Sequence, residues 1–387
     1  MALAFLARHW AAGQGGDALG LVVDHRLRVD SAEEAALTAG RLSGIGIRAR
    51  ILPLTGLTPG PGLAARARAA RYAALEAACM ADGRLHLLLG HHAADQAETV
   101  AMRMLGHSGA DGLAGMAGLV ERPHLRWLRP LLTIPPARLR ATLAAEGLGW
   151  VEDPSNRSPA ARRNRLRLLR GDAAGTGPVT RAAVAAAALR GTQRGVAEAA
   201  RAAWLAGRVA FHPEGYAVIS PGPSDPAALA AVLRTIAGRH FPLPPEQVAA
   251  WAEAPRAATL GGCELRTAGR LCPGGCLVLR EAAAMQPPIA ALPGAVWDGR
   301  FRLLGGAPAG AMLGPLGDAA ARLRDASDLP SALLRTLPAL RVGGTLVAVP
   351  HLGYAASYDA SHVRLVFHPA VPATGGGFVT MRMQDFG

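Results

Sequence analysis

Lysine is absent from all 387 residues, so the 41 basic side chains are arginines without exception. A phosphate loop of the GxxxxGK[ST] type, which needs its lysine at the β- and γ-phosphates, is thereby excluded. Cysteine is scarce. The four residues Cys79, Cys263, Cys272 and Cys276 are too few and too unevenly placed for a disulfide framework, which fits a reducing cytoplasm. Three of them fall in GGCELRTAGRLCPGGC, yet no second CxxC or HxxxH accompanies CPGGC, so they read as hairpin cysteines rather than a zinc site. Long apolar runs are missing too: LHLLLG falls well short of the roughly 20 residues a membrane span requires. MALAFLARHW lacks a basic leader and a cleavage site, and reads as a helix rather than a signal peptide.

Acidic residues are the scarcer charge, 28 against 41, which leaves a net charge of +13. Arginine forks match phosphate geometry, and counterion release adds affinity, so this balance favours a polyanionic partner such as nucleic acid. The bland alternative is GC-rich coding, which inflates Arg, Ala, Gly and Pro together. The length implies two or three domains, each with its own core.

The first half alternates. MALAFLARHWAA reads as a helix, ALGLVVDH as a buried strand, SAEEAALTAGRLSG as a helix with Ser31 as N-cap and Glu34 completing a capping box, and IRARILPL as a strand. LAARARAARYAALEAACMADG, LHLLLG and AADQAETVAMRML then give helix, strand, helix. This order implies an α/β fold with a doubly wound parallel sheet covered on both faces, whose ligands bind at the carboxyl ends of the strands. Those ends carry polar residues, Asp24 and His25 on one strand and His91 and His92 on another. Beyond them come a proline-started helix near 135–147, a turn at DPSN, and RRNRLRLLR, with five arginines in nine residues. The composition then shifts. We expect a first domain over 1–172, a helical and α+β domain over 173–285, and a small β-rich domain over 286–387.

If the helix after LHLLLG reaches back to the histidine, His91, Asp95 and Glu98 share one face, while Ala97, Ala101 and Met104 form a packing stripe on another. Two carboxylates beside an imidazole suit Mg²⁺ and phosphate oxygens better than tetrahedral zinc, and HExxH spacing is lacking. Polar capping alone explains Asp95 but not both histidines.

VDHRLRVDSAEEA, ARARAARYAAL, HHAADQAETVAMRMLGHSGADGLAGM and WVEDPSNRSPAARRNRLR follow one another in the order seen in the tRNA(Ile)-lysidine synthetase family of N-type ATP pyrophosphatases, which residues 1 to about 170 resemble. TLGGCELR and LPALRVGGTLVAVPHLGY resemble that family's tRNA-recognising C-terminal regions. The resemblance implies a Rossmann-like adenine nucleotide α-hydrolase domain and a two-step reaction. ATP adenylates the C2 oxygen of the wobble cytidine in an isoleucine tRNA with a CAU anticodon, and free lysine then displaces AMP. It implies ATP and Mg²⁺ as cofactors, tRNA and lysine as partners, a cytoplasmic location with a homodimer allowed, and no membrane.

Position by position, the resemblance implies catalytic roles for His91, Asp95, Glu98 and Arg163, with Asp95 and Glu98 also as metal ligands. It implies nucleotide or tRNA contacts for Asp24, His25, Arg68, Arg71, Asn156, Asn164 and Arg167, with Tyr72 and Asp153 in the same motifs. Three departures stand out. The family's SGGxDS phosphate turn, whose backbone N–H groups cradle pyrophosphate, precedes the helix that MALAFLARHW resembles. We therefore expect the true start to lie upstream and the chain as it stands to bind ATP weakly and turn over poorly; upstream in-frame codons without a strand and SGGxDS would sink the first expectation. Ala94 stands where an aspartate is common, and Arg26 and Ala64 replace a glycine and an acidic residue. Two other readings compete: a related tRNA sulfur-transferring enzyme, for which Cys79 alone is a poor cysteine set, and an inactive or RNA-binding fragment.

Overall fold

The computed structural model describes residues 1–28, 30–151, 162–222, 224–241, 243–356, 362–375 and 377–381, with the side chains of residues 162–164 and 245 outside the description. Contacts divide the chain into two units, Met1–Ala197 with Gly376–Gly387, and Glu198–Gly375. This division is coarser than the three segments expected from composition: residues 173–197 pack with the first unit, and 198–285 and 286–375 share the second.

Unit 1 runs α1 (Ala2–Gly13), β1 (Leu19–Asp24), α2 (Ser31–Gly44), β2 (Arg48–Pro53), α3 (Leu63–Ala81), β3 (His86–Leu88), α4 (Ala93–Leu105), α5 (Ala110–Leu113), β4 (Leu119–Glu121), β5 (Arg126–Leu128), α6 (Pro136–Ala145), α7 (Arg162–Arg170) and α8 (Pro178–Arg208). β1 and β2 pair in parallel from Leu19 and Arg48 to Asp24 and Pro53. β3 pairs in parallel with β5, and β5 antiparallel with β4. The β4–β5 connection is too short for a crossover, so that pair must be antiparallel. The expected α/β order with parallel pairing is present, and among the described residues the strands of this unit fall into two ladders. Helix α3 serves both, its Leu75 and Cys79 packing with Leu87 and Leu89 around β3 and with Leu21 and Val23 of β1. Gly20 lets α2 approach β1 closely: a Cβ there would stand 2.7 Å from Leu42 Cδ1.

The capping box expected at Ser31 does not form. Asp30 is the N-cap. The Ser31 hydroxyl donates to Asp24 Oδ1 at 2.7 Å, and Glu34 accepts from Arg28 at 2.8 Å instead of reaching back. Ahead of α8, the Asp172 carboxylate accepts from the backbone N–H groups of Thr176 and Gly177 and from the Thr180 hydroxyl. The hydroxyl bond, with the backbone bonds behind it, holds the Asp172 carboxyl below its ordinary range. Asp172→Ala is expected to lower the unfolding free energy by about 1–2 kcal/mol at neutral pH. A carboxyl depressed in the folded state contributes fully above its unfolded pKa and loses that contribution as pH falls through the folded one. Urea midpoints of wild type and variant should therefore converge on acidification.

Unit 2 opens with an antiparallel sheet of order β6 (Val209–His212), β7 (Tyr216–Ile219), β10 (Cys276–Arg280), β9 (Cys263–Thr267), β8 (Ala258–Leu260), covered by α9 (Pro226–Ile236) and α10 (Pro245–Glu253). Val232, Leu233 and Ile236 of α9 and Val248 of α10 pack on Leu265 and Val278. Cys263 Sγ donates to the Leu233 carbonyl at 3.4 Å, and burial pushes this thiol up to about 12. A cavity of about 260 Å³ in this unit is lined by Trp204, Trp251, Arg256 and Arg266 among others. The remainder of the unit is β-rich, with antiparallel sheets of five and three strands around Trp297, Phe301, Leu303, Leu313 and Leu340. Beside Trp297 sits a buried ionic cluster. Asp298 Oδ2 accepts from Arg280 Nε at 3.0 Å and from Arg300 Nε at 2.8 Å, with both Asp298 and Arg300 side chains fully buried. No helix among the described residues is long and apolar enough to cross a membrane.

Candidate active site at the strand ends

Two groups of side chains gather at the ends of β1 and β3. The first belongs to β1 and α3. Asp24 closes β1 and is only 4% exposed. Its Oδ1 accepts from the Arg26 backbone N–H and from Ser31, and these bonds, the hydroxyl first, hold its carboxyl below the usual range. The Asp24 carboxylate also closes the turn after β1 through this oxygen. Within that turn Arg26 has φ 52°, a left-handed conformation that favours glycine, which explains why a glycine suits this position in the resembling family. His25 Nε2 accepts from Arg71 Nε at 3.0 Å, which requires the neutral tautomer with its proton on Nδ1.

The i, i+3 spacing of Arg68 and Arg71 suggests a joint task, but they take different partners. The Arg68 guanidinium lies 5.0 Å from the centre of the Tyr72 ring, which stacks on Trp127 of β5 at 4.4 Å. Arg122 and Arg129 lie 4.8 and 5.8 Å from the Trp127 ring centre, so cations and aromatic faces alternate across the strand end.

The second group belongs to α4 and α7. Helix α4 begins at Ala93, with His92 as N-cap. His91 therefore lies in the preceding turn, and the i, i+4, i+7 face through His91 is not formed. Asp95 Oδ2 accepts from the His92 backbone N–H at 3.0 Å, and His92 Nδ1 lies 3.3 Å from the same oxygen. Glu98, 1% exposed, accepts from Arg167 at both oxygens, Nε to Oε1 at 2.7 Å and Nη2 to Oε2 at 3.2 Å. Arg170 stands 3.6 Å from Glu98 Oε1, and Arg167 Nη2 reaches within 3.5 Å of Asp95 Oδ1. The bond to Glu98, against the opposing effect of burial, raises the Arg167 guanidinium above its ordinary range. A fork meeting a carboxylate at two points is the geometry in which a buried charge is best compensated.

This arrangement corrects the metal assignment. Mg²⁺ requires near-ideal octahedral oxygen ligands, and both Glu98 oxygens already face a guanidinium, while one Asp95 oxygen is held by the His92 amide. The pair as folded does not fit a magnesium ion. Ala94 suits its place: it is 4% exposed, and its carbonyl accepts from Arg170 at 3.3 Å, so an aspartate there would be buried. The expected packing stripe is also revised. Ala97 is buried, Met104 is 61% exposed, and the buried face runs instead through Ala93, Ala94, Gln96, Ala97 and Val100.

Asn156 and Asp153 lie outside the described residues, as do the side chains of Arg163 and Asn164, whose backbone belongs to α7. Sequence reasoning missed Gln96, Arg103, Arg129 and Arg170, and placed His92 at the strand end without a role of its own. Arg170 was within reach, one turn beyond Arg167 on the same face of α7.

The PP-loop domain family matches residues 1–170. A tRNA(Ile)-lysidine synthase of Mesorhizobium japonicum is 36% identical over 353 residues, covering 86% of this chain and 77% of that protein. The corresponding protein of Ruegeria pomeroyi is 34% identical over 360 residues, covering 87% and 82%. The match to the Bradyrhizobium sp. protein is 43% identical over 171 residues and spans 44% of this chain and about half, 48%, of that relative.

Proposed function

Because the chain belongs to the tRNA(Ile)-lysidine synthase family, we propose that it ligates free lysine to C2 of the wobble cytidine of an isoleucine tRNA with a CAU anticodon, at the expense of ATP. In the first step the cytidine C2 oxygen attacks the α-phosphorus, a P–O bond forms, and the bond to pyrophosphate breaks. In the second the lysine side-chain nitrogen bonds to C2, the C2–O bond to AMP breaks, and the ammonium's protons leave to nearby bases or solvent.

The observation that carries this reading is the bidentate Arg167–Glu98 pair set beside Asp95 and His92 at the N-terminus of α4. Negative charge builds on pyrophosphate and then on AMP, and fixed guanidinium groups together with a helix N-terminus compensate it without reorganising. Arg71, oriented by His25, supplies a further cation at the end of β1. We assign to Asp95, at the N-terminus of α4, the orientation of the lysine ammonium, and to Glu98 the holding of Arg167. ATP is the cofactor in this scheme, and no step is routed through a protein-bound magnesium ion. The net charge of +13 supports a polyanionic substrate.

The test is tRNA-dependent pyrophosphate release with ATP and lysine, run on this chain and on a form extended upstream in frame. Asp95→Asn is expected to slow multiple-turnover release in the presence of lysine, which cannot outrun the lysine step, about 10²-fold while tRNA binding persists. Unchanged release would remove Asp95 from the reaction, and tRNA binding without release in either wild-type form would leave only an RNA-binding role.

A further inference from the structure

Glycine inside a helix is an unfavourable choice unless something needs the space of its missing side chain. α8 carries Gly191 and Gly195, one turn apart in GTQRG. A Cβ on Gly191 would stand 2.2 Å from Thr380 Cγ2 and 2.7 Å from Phe378 Cε1, and one on Gly195 would stand 2.8 Å from the Phe378 carbonyl oxygen. Outside the helix, a Cβ on Gly118 would stand 2.5 Å from Met381 Cγ. Three glycines on two segments thus leave room for one stretch of chain, Phe378–Met381. That stretch is fixed there by a Gly118 N–H bond to the Val379 carbonyl at 2.7 Å, by an antiparallel bridge between Leu119 and Val379, and by the Arg194 guanidinium 4.7 Å from the Phe378 ring centre.

Phe378–Met381 pairs with the end of the Ala114–Gly118 loop. The Gln96 side chain donates to the Met116 carbonyl at 3.1 Å and accepts from its N–H at 2.8 Å. Arg103 donates to the carbonyls of Gly112 and Gly115, and Arg129 to that of Ala117. Gln96 neighbours Asp95 on α4 and lies two residues before Glu98. Hydrogen bonds at Gly118 and at Met116, joined by the peptide links between these residues, therefore connect residue 379 to the helix turn that carries both carboxylates.

We propose that Phe378–Met381 is a positioning strap for the reaction: seated against Gly118, Gly191 and Gly195, it fixes the Ala114–Gly118 loop and, through Gln96, the first turn of α4. Its catalytic half rests on the proposed ligase reading; its seating does not. The strap is the stretch by which the chain returns from unit 2, so the geometry at Asp95 depends on residues far beyond it in the chain.

The seat gives opposite predictions for two chemically identical changes. Gly40 lies in α2 with nothing within 4 Å of the place an added methyl would take, so Gly40→Ala should raise the thermal midpoint through helix propensity alone. Gly191→Ala should lower it, because the methyl and Thr380 compete for one space. In the full chain, Gly191→Ala is expected to speed amide exchange at Met116 and Gly118 about tenfold or more, where local opening controls exchange. Turnover in pyrophosphate release should fall about fivefold with the half-saturating tRNA concentration unchanged. Adding Thr380→Ser, which removes Cγ2 but leaves the Phe378 ring 2.7 Å from the new methyl, should restore exchange protection and turnover in part. A raised midpoint with unchanged exchange in Gly191→Ala would overturn the seat, and faster exchange with undiminished turnover would overturn the positioning role. Wild-type chain that releases no pyrophosphate would refute the ligase reading while the exchange comparison still decides the seat.

Discussion

Asp298→Asn is expected to lower the stability of unit 2 by about 3–5 kcal/mol, the cost of removing one partner from a buried ionic group. Asparagine tolerates the left-handed backbone that Asp298 adopts, at φ 53°, so the change isolates charge from strain. The Asp298 carboxylate faces two guanidinium groups. Its Oδ1 also accepts from Arg280 Nη2 and from the Gln286 backbone N–H, each at 3.1 Å. Burial pushes the Arg300 guanidinium down to about 10, against the stabilising charge of Asp298. Arg300 therefore stays cationic at neutral pH. A base whose folded pKa is depressed opposes folding throughout the range below that value, and the penalty fades only as pH rises through it toward the unfolded pKa. Without the Asp298 charge, two buried cations repel each other across a neutral amide. Urea unfolding followed by the fluorescence of the neighbouring, fully buried Trp297 reads the effect. Arg300→Met added to Asp298→Asn should recover a large part of the loss. A double variant no more stable than the single would remove the charge argument.

The second large effect is at the site. Arg167→Ala takes the bidentate partner from Glu98, 1% exposed, while the longer contact to Arg170 at 3.6 Å is kept. We expect a loss of about 3 kcal/mol in stability, at the low end for a buried pair because Arg170 remains. Pyrophosphate release should fall about 10³-fold, as for removal of one preorganised electrostatic donor. Arg167→Lys keeps the charge but not the fork, and should fall between wild type and alanine in both measurements. A double-mutant cycle on Glu98→Met and Arg167→Met should give a coupling energy of about 1.5–3 kcal/mol. Coupling near zero would mean that the pair is incidental to the fold, and turnover of Arg167→Ala within a few-fold of wild type would separate Arg167 from the chemistry.

These two clusters were not equally legible. The alternation of β1, α2, β2 and α3 follows from local periodicity, so the ladder of β1 and β2 and the placement of Asp24 and His25 at its end could be read directly. The site's chemistry was read less well because its decisive contact is not local. Glu98 and Arg167 stand on helices 69 residues apart, and two nearby carboxylates suggest a cation without saying whether that cation is a metal or an arginine. Ser31 illustrates the same limit at short range. As a serine before a helical run it signals an N-cap, but the Asp24 carboxylate, buried and in need of donors, recruits its hydroxyl. Met104 fits an apolar stripe on a helical wheel, yet α4 is buried through its alanines and Gln96, because the loop at Met116 offers that glutamine both a donor and an acceptor. Nothing in local composition marks the buried pair Arg280 and Arg300, whose shared anionic partner Asp298 is fixed by a turn.

The close approach of Gly195 and Phe378 holds together two stretches of unit 1 that flank residues 198–375 in the chain. The seat thus closes a long loop within unit 1, and the entropy of that closure is met by the seat itself rather than by the stretch it encloses.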